Sequence, residues 1–203
     1  MAEILPGLLY FPGWLDPAGQ QALIAELREG LDAAPLFTPT MPRTGKPFSV
    51  RMTNRGALGW VSDRAGYRYQ AAHPVTGAPW PAIPAAALRA WVELGGYGAP
   101  PEACLVNFYD DKARMGLHRD SDETVLDAPI VSLSLGASCL FRIGGMARDA
   151  PTRSFRLHAG DALVLSGPAR LAFHGVDRIL PGPAPFMAQG GRINLTLRRV
   201  APP

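Results

Sequence analysis

Apolar residues recur at two different periods along this chain. Over residues 16–31 the spacing is helical: Leu23, Ile24, Leu27 and Leu31 form one stripe, Asp16 has an N-cap side chain, and Pro17 suits a first turn. A second short helix is predicted over 84–93, with Leu88, Trp91 and Val92 as its apolar face and Gly95-Gly96 as its stop. Beyond residue 102 the pattern changes to short apolar or alternating runs. The stretches 103–109, 130–135, 140–143, 154–157, 162–165, 171–176 and 192–200 read as strands, punctuated by Gly144-Gly145, His158-Ala-Gly-Asp161 and Ser166-Gly-Pro168. Helices followed by many short strands predict an α+β fold, mainly β: a jelly roll, or double-stranded β-helix, with helices packed outside. No internal repeat interrupts this reading, and the only low-complexity tract is the proline-rich 181–185.

Composition narrows the class. A chain of 203 residues with 47% hydrophobic and 18% charged residues can form one domain with a core of its own. Cys104 and Cys139 both lie in apolar stretches, which argues against a disulfide framework or a cysteine zinc site. No apolar run reaches the roughly 18–20 residues of a membrane span, and Met1–Gly7 lacks a basic region followed by an apolar one. The expectation is a soluble, cytoplasmic, monomeric protein with no membrane partner.

The formal net charge of +3 is unevenly placed. Residues 43–68 hold Arg43, Lys46, Arg51, Arg55, Arg64 and Arg68 against Asp63 alone, interleaved with Phe48, Trp60, Tyr67 and Tyr69. Guanidinium forks suit phosphates and aromatic rings suit bases, so the segment fits a single-stranded nucleic acid. A solvated loop rich in arginine is the plainer reading of the same residues.

Candidate chemistry comes from residues two apart, which share a face in a strand. His118 and Asp120 form one such pair, Asn107 and Tyr109 a second, and Arg192 and Asn194, continued by Thr196 and Arg198, a third. With His174 downstream, His118 and Asp120 have the composition of a two-histidine, one-carboxylate triad, which holds Fe(II) and leaves open positions for a bidentate co-substrate and dioxygen. Arginines on one face of the last strand need an anion if that face is interior, and forked bonds to a dicarboxylate such as 2-oxoglutarate supply it. His73 and His158 have no such context and read as structural.

Several stretches then converge on one family. Val50-Arg-Met-Thr-Asn54, Leu58-Gly-Trp60, Gly66-Tyr-Arg-Tyr69, Leu117-His-Arg-Asp-Ser-Asp122, Pro129–Gly136, Phe173-His-Gly175 and Arg192-Ile-Asn-Leu-Thr-Leu-Arg198 resemble the AlkB family of Fe(II)- and 2-oxoglutarate-dependent dioxygenases over nearly the whole chain. The resemblance implies a single domain over 1–203, with flanking helices and a nucleotide-recognition lid over 1–90 and a jelly-roll core over 91–203. It implies His118, Asp120 and His174 as metal ligands, and Asn107, Tyr109, Arg192, Asn194 and Arg198 as co-substrate residues. Trp60 is similar to the wall that stacks on a damaged base. Tyr67, Arg68 and Tyr69 fall where the family grips the substrate backbone, Asp122 near the base's exocyclic nitrogen, and Arg148 at a substrate contact. The implied activity is oxidative demethylation of 1-methyladenine and 3-methylcytosine in single-stranded DNA or RNA. The methyl group leaves as formaldehyde, while 2-oxoglutarate and O2 yield succinate and carbon dioxide.

The chain departs from the family pattern at Arg119, where glutamine is commoner and the side chain is expected to point away from the metal. It departs again at Ile193 and Leu197, which replace aromatics on the outward face of the last strand. Two alternatives compete with nucleic-acid repair of bases: the same chemistry on tRNA, a protein side chain or a small molecule, and a non-catalytic jelly-roll binding module.

Overall fold

In the computed structural model, which describes residues 1–202, the short runs of the second half assemble into two facing sheets. The larger has seven strands. Its centre is β8 (Ile130–Gly136), β13 (Arg192–Arg198) and β6 (Ala103–Tyr109), flanked on one side by β11 (Ala162–Leu165), β2 (Leu8–Phe11) and β1 (Ala2–Leu5), and on the other by β3 (Arg51–Gly56). The smaller runs β10 (Arg153–Leu157), β9 (Cys139–Ile143), β12 (His174–Ile179) and β7 (Met115–His118). Leu105, Ile130 and Leu163 of the first sheet pack with Phe141, Ile143, Leu157 and Val176 of the second, closing a jelly-roll core. A hairpin, β4 (Gly59–Asp63) and β5 (Gly66–Gln70), stands apart as its own two-stranded sheet.

The back of the large sheet is covered by helices. In α1 (Pro17–Glu29), Asp16 Oδ1 accepts the Gly19 N–H at 2.7 Å, and Leu23, Ile24 and Leu27 are buried against Val106, Leu133, Leu195 and Val164. The second helix, α2 (Ala85–Ala90), runs into a π-helical turn over Trp91–Gly95. Its expected face is incorrect: Leu88 and Val92 are exposed, Val92 by 72%, while Ala87, Ala90 and Trp91 are buried. Two stripes at helical spacing competed here. The one with two alanines lets the backbone approach the sheet closely and seats the larger Trp91, whose indole N–H reaches Ala99 O at 2.9 Å.

The boundary expected at residue 90 does not divide the sheet, because β1, β2 and β3 belong to it. Polar β3 reads as loop in the sequence, yet Thr53, Asn54 and Arg55 are buried. Thr53 Oγ1 donates to Ala34 O at 2.8 Å, and Arg55 donates through Nη2 to Leu27 O beneath the end of α1, with its Nε left without a partner. Asn54 spans both backbone groups of Trp60, at 3.0 Å each, and so fixes that residue to the large sheet.

Candidate active site

One cavity of about 350 Å³ opens between the sheets beneath the hairpin. Every candidate residue except Arg68 lines it. Pairing in register explains the convergence. His174 stands opposite His118 across β12 and β7, with ring centroids 4.6 Å apart. Arg192 stands opposite Tyr109, and Asn194 opposite Asn107, across β13 and β6. Gly175 permits the first of these pairings: a Cβ there would lie 2.5 Å from Met115 O and force β12 off β7.

Ligand atoms of His118, Asp120 and His174 lie within 4.8 Å of one another, the spacing of a shared metal ion. Both imidazoles are oriented from behind. His118 Nδ1 lies 3.0 Å from Gly116 O and His174 Nδ1 3.0 Å from Ala172 O, so Nδ1 carries the proton and Nε2 keeps its lone pair for a metal. Burial, reinforced by the neighbouring His118, pushes the His174 imidazole down to about 4, which leaves it neutral at pH 7. Asp120 is not on the strand as expected, since β7 ends at His118. Its place is set by charge instead. Burial alone would raise its carboxyl, but Arg198, then His174 and His118, outweigh that and hold it well below the usual carboxylate range. Arg198 Nε and Nη2 donate to Oδ2 at 3.1 and 2.7 Å, while Oδ1 lies 3.7 Å from His118 Nε2.

Two residues outside the sequence reading complete this arrangement. Arg170, on the turn after β11, donates to Asp120 O at 2.7 Å, to Ala128 O at 2.8 Å and to Glu123 Oε2 at 3.2 Å, pinning the whole segment after β7. Glu123 is buried, and its Oε1 lies 3.3 Å from Arg198 Nε. Neither has a local motif; only partners distant in the chain give them a role. Arg192 is different. It is 1% exposed, donates to Ser134 Oγ at 2.8 Å, and has no carboxylate within ion-pair distance among the described residues. Its Nε and the Nη1 of Arg198 are buried donors without partners. A buried cation left this way costs several kcal/mol unless an anion joins it. A dicarboxylate co-substrate fits that need, with Arg192 taking one carboxylate and the free Nη1 of Arg198 available beside the triad.

The hairpin supplies the mouth. Trp60, Tyr67 and Tyr69 share its inner face, and Arg68 between them turns outward, where it forks onto Asp63 at 2.9 and 2.8 Å. Tyr67 stacks on Trp60 at 5.6 Å, Phe48 meets Trp60 edge-on, and the indole N–H donates to Asp122 Oδ2 at 2.8 Å. Tyr69 reaches deeper and donates its hydroxyl to Glu123. On the opposite rim, Arg119 and Arg148 both lie over the Phe173 ring, at 5.6 and 5.8 Å. Arg119 therefore lines the mouth, a position the sequence reading did not give it. His73 is structural: Nδ1 accepts from Val75 and Thr76 N–H, so Nε2 donates to Pro35 O. His158 pairs with Ser138 Oγ, outside the cavity.

Comparison with known proteins agrees with this geometry. The family model for the 2OG-Fe(II) oxygenase superfamily matches residues 7–198. An alpha-ketoglutarate-dependent dioxygenase AlkB homolog of Caulobacter vibrioides is 54% identical over 97% of this chain and 89% of its own length. Alpha-ketoglutarate-dependent dioxygenase AlkB of Escherichia coli is 38% identical over 88% and 84%. The solved structure of OsALKBH1 superposes with a TM-score of 0.79 at 31% identity, covering 98% of this chain and all of that one. The chain thus belongs to the AlkB family of 2-oxoglutarate-dependent dioxygenases, whose chemistry uses Fe(II), 2-oxoglutarate and O2.

Proposed function

We propose that this dioxygenase demethylates 1-methyladenine and 3-methylcytosine in single-stranded DNA and RNA, a direct-reversal repair. The observation that carries the reading is the Trp60–Asp122 hydrogen bond at the cavity mouth: an aromatic wall and a carboxylate joined over a His-Asp-His triad. When bound, iron, 2-oxoglutarate and O2 supply the oxidation that yields succinate, carbon dioxide and a hydroxymethyl group, which leaves the base nitrogen as formaldehyde. The protein's share is placement. His118 and His174 offer Nε2, Asp120 offers Oδ1, and Arg192 with Asn107, Tyr109, Asn194 and Arg198 holds the dicarboxylate on the sheet. A methyl on a pairing nitrogen is out of reach in a duplex, so the base must be extruded or already unpaired. Tyr67 covers one face of Trp60, and the base stacks on the other, an interaction worth about 1–3 kcal/mol. Asp122 is placed to favour cationic bases and accept from their amino group. Arg148 meets the strand at the far rim, and Tyr67 at the near one.

Relatives support a nucleic-acid substrate of either kind: tRNA demethylase abh1 of Schizosaccharomyces pombe matches half of this chain at 35% identity, and DNA N(6)-methyladenine demethylase ALKBH1C of Arabidopsis thaliana 97% at 30%. No helix among the described residues is long and apolar enough to cross a membrane. Two buried free thiols, Cys104 and Cys139, support a reducing cytoplasmic setting. The test loads the protein with Fe(II) and 2-oxoglutarate anaerobically, adds oligonucleotides carrying either base as DNA or RNA, then admits air. Loss of the methyl group by mass, with matching succinate, is expected; succinate formation with every methyl group retained overturns the substrate assignment.

A further inference from the structure

Glu123 is a buried carboxylate that the chemistry above does not use. Its side chain is 2% exposed and is shared by three elements. Arg198 approaches from β13 and Arg170 from the turn after β11, at 3.3 and 3.2 Å, and the Tyr69 hydroxyl comes from the mouth hairpin. We propose that Glu123 is a positioning residue: it holds the Arg198 fork for the metal ligand and the co-substrate, and through Tyr69 it links the seating of the hairpin to co-substrate binding. The proposal rests on the assignment of Arg198 to the co-substrate site.

The geometry makes Arg198 the pivot. Its Nε faces Asp120 Oδ2 and Glu123 Oε1 together, and its Nη2 faces Asp120 Oδ2. With these donors occupied, the fork has one orientation. That orientation leaves Asp120 Oδ1 toward the imidazoles and Nη1 as the free buried donor. Loss of Glu123 leaves Arg198 held from one side only and Arg170 without its carboxylate. Tyr69 supplies the link to the mouth, because Trp60 stands directly opposite it across β4 and β5. A base that settles against Trp60 therefore presses on the strand pair whose other member is tied to Glu123. Linkage of this kind is reciprocal: substrate strand and 2-oxoglutarate each tighten the other by the same factor.

The test titrates 2-oxoglutarate into the Fe(II) protein anaerobically, with and without a single-stranded oligonucleotide carrying 1-methyladenine, following heat. Wild type is expected to bind 2-oxoglutarate about tenfold more tightly with the oligonucleotide present, within what one hydrogen bond to a charged group can transmit. Tyr69→Phe keeps every ionic pair and the fold. It should leave 2-oxoglutarate affinity alone nearly unchanged but, with oligonucleotide at a concentration that saturates the variant, bring the oligonucleotide effect toward one. Glu123→Gln should weaken 2-oxoglutarate about tenfold even without oligonucleotide, and Glu123→Asp should recover part of that. Wild-type linkage in Tyr69→Phe, or no linkage in wild type, overturns the connection to the hairpin. Unchanged 2-oxoglutarate affinity in a folded Glu123→Gln overturns the positioning role. If Glu123→Gln fails to fold, the 2-oxoglutarate affinity of Glu123→Asp judges the positioning role, unchanged affinity overturning it, and Tyr69→Phe judges the link to the hairpin. A wild type that does not bind the methylated strand removes the nucleic-acid substrate and the hairpin link, while the Glu123 affinities still judge the positioning of Arg198.

Discussion

The sheet wall and the mouth hairpin face one cavity but handle charge in opposite ways. On the wall, Asp120, Glu123, Arg170 and Arg198 are buried and matched, two acids with two cations, and Arg192 is left over. At the hairpin, Arg68 is spent on Asp63 near the surface, and Tyr67 is 53% exposed. Wall charges are coupled, so removing one strands another in a medium that penalises it. Hairpin and loop charges stand in water and act almost independently. Charge on the wall builds the site, and charge at the mouth adjusts what reaches it.

That contrast is broken most severely at the metal ligands. Asp120→Ala, His118→Ala and His174→Ala should each abolish formaldehyde release. They should differ in stability. Asp120→Ala takes from Arg198 the carboxylate that meets two of its donors and leaves it Glu123 alone, so it is expected to lose about 3 kcal/mol in a denaturant melt. The His118 side chain is 39% exposed, its hydrogen bond is to Gly116 O, and Asp120 keeps Arg198 when the imidazole at 3.7 Å is removed, so its loss should cost the melt far less. Equal stability of the two variants would show that the Asp120–Arg198 pair contributes nothing net to the fold.

The two strand arginines sharpen it next. Arg192→Ala and Arg198→Ala should each weaken 2-oxoglutarate by roughly 10- to 150-fold, the value of a charge-assisted hydrogen bond, with lysine recovering little because it lacks the fork. Their effects on the protein without ligand should be opposite. Arg198→Ala strands Asp120, leaves Glu123 to Arg170 and Tyr69, and lowers the melting temperature. Arg192→Ala removes an unmatched buried cation and should leave it unchanged or raise it. A melting temperature that falls as far for Arg192→Ala as for Arg198→Ala would mean that Ser134 and nearby carbonyls already satisfy Arg192.

These differences also separate what was legible in the sequence. Period-two spacing placed Arg192 and Asn194 on one face and Asn107 and Tyr109 on another. The structure needs only register to bring them opposite. Polar residues at alternate positions of an apolar strand are unusual enough to stand out. The same period, applied to Gly66–Gln70, turns Arg68 away from Tyr67 and Tyr69, although the family resemblance put all three in the segment that grips the strand. Glu123 and Arg170 were not legible, because each is explained by partners distant in the chain. The strands before residue 90 were hidden for a related reason. Thr53, Asn54 and Arg55 look solvated until the carbonyls and amides they meet are known. For α2 the largest apolar side chains suggested the face, but Trp91 is buried beside Ala87 and Ala90, and Leu88 and Val92 are left exposed.

At the mouth, Asp122 is the charge that should read the base. Asp122→Asn removes charge while keeping an oxygen that can accept from the Trp60 indole, so the wall stays in place. A carboxylate about 4 Å from a cationic base gains about 4 kcal/mol gross at an effective dielectric of 20, and desolvation takes back much of it. The expected loss in kcat/KM is roughly 5- to 150-fold for 1-methyladenine and 3-methylcytosine, with 1-methylguanine and 3-methylthymine nearly unaffected. Equal losses on both classes would make Asp122 an anchor of Trp60 and not a reader of charge.

The smallest effects belong to the solvated cations, and they test whether the strand lies across the hairpin. Of the basic residues over 43–68, Arg55 is buried under α1, Arg68 is paired with Asp63, and Arg51 lies over Phe108 on the helix side of the large sheet. Lys46 and Arg64 have no acidic partner among the described residues, and Arg64 sits at the β4–β5 turn. Phosphate binding by these two should appear in the salt dependence of single-strand binding. Removing one cation from a phosphate lowers the slope of log K against log salt by about 0.7. Lys46→Gln and Arg64→Gln should each flatten the slope by about that amount, whereas Arg51→Gln should leave it unchanged. The comparison is internal, since Arg51 and Arg64 carry the same charge and differ in place, one on the helix side of the large sheet and one at the hairpin turn. Equal flattening by Arg51→Gln and Arg64→Gln would place the strand across the helix side as well. A wild-type slope near zero would reduce the whole segment to a solvated face, and recognition would then rest on Trp60, Asp122 and the far rim alone.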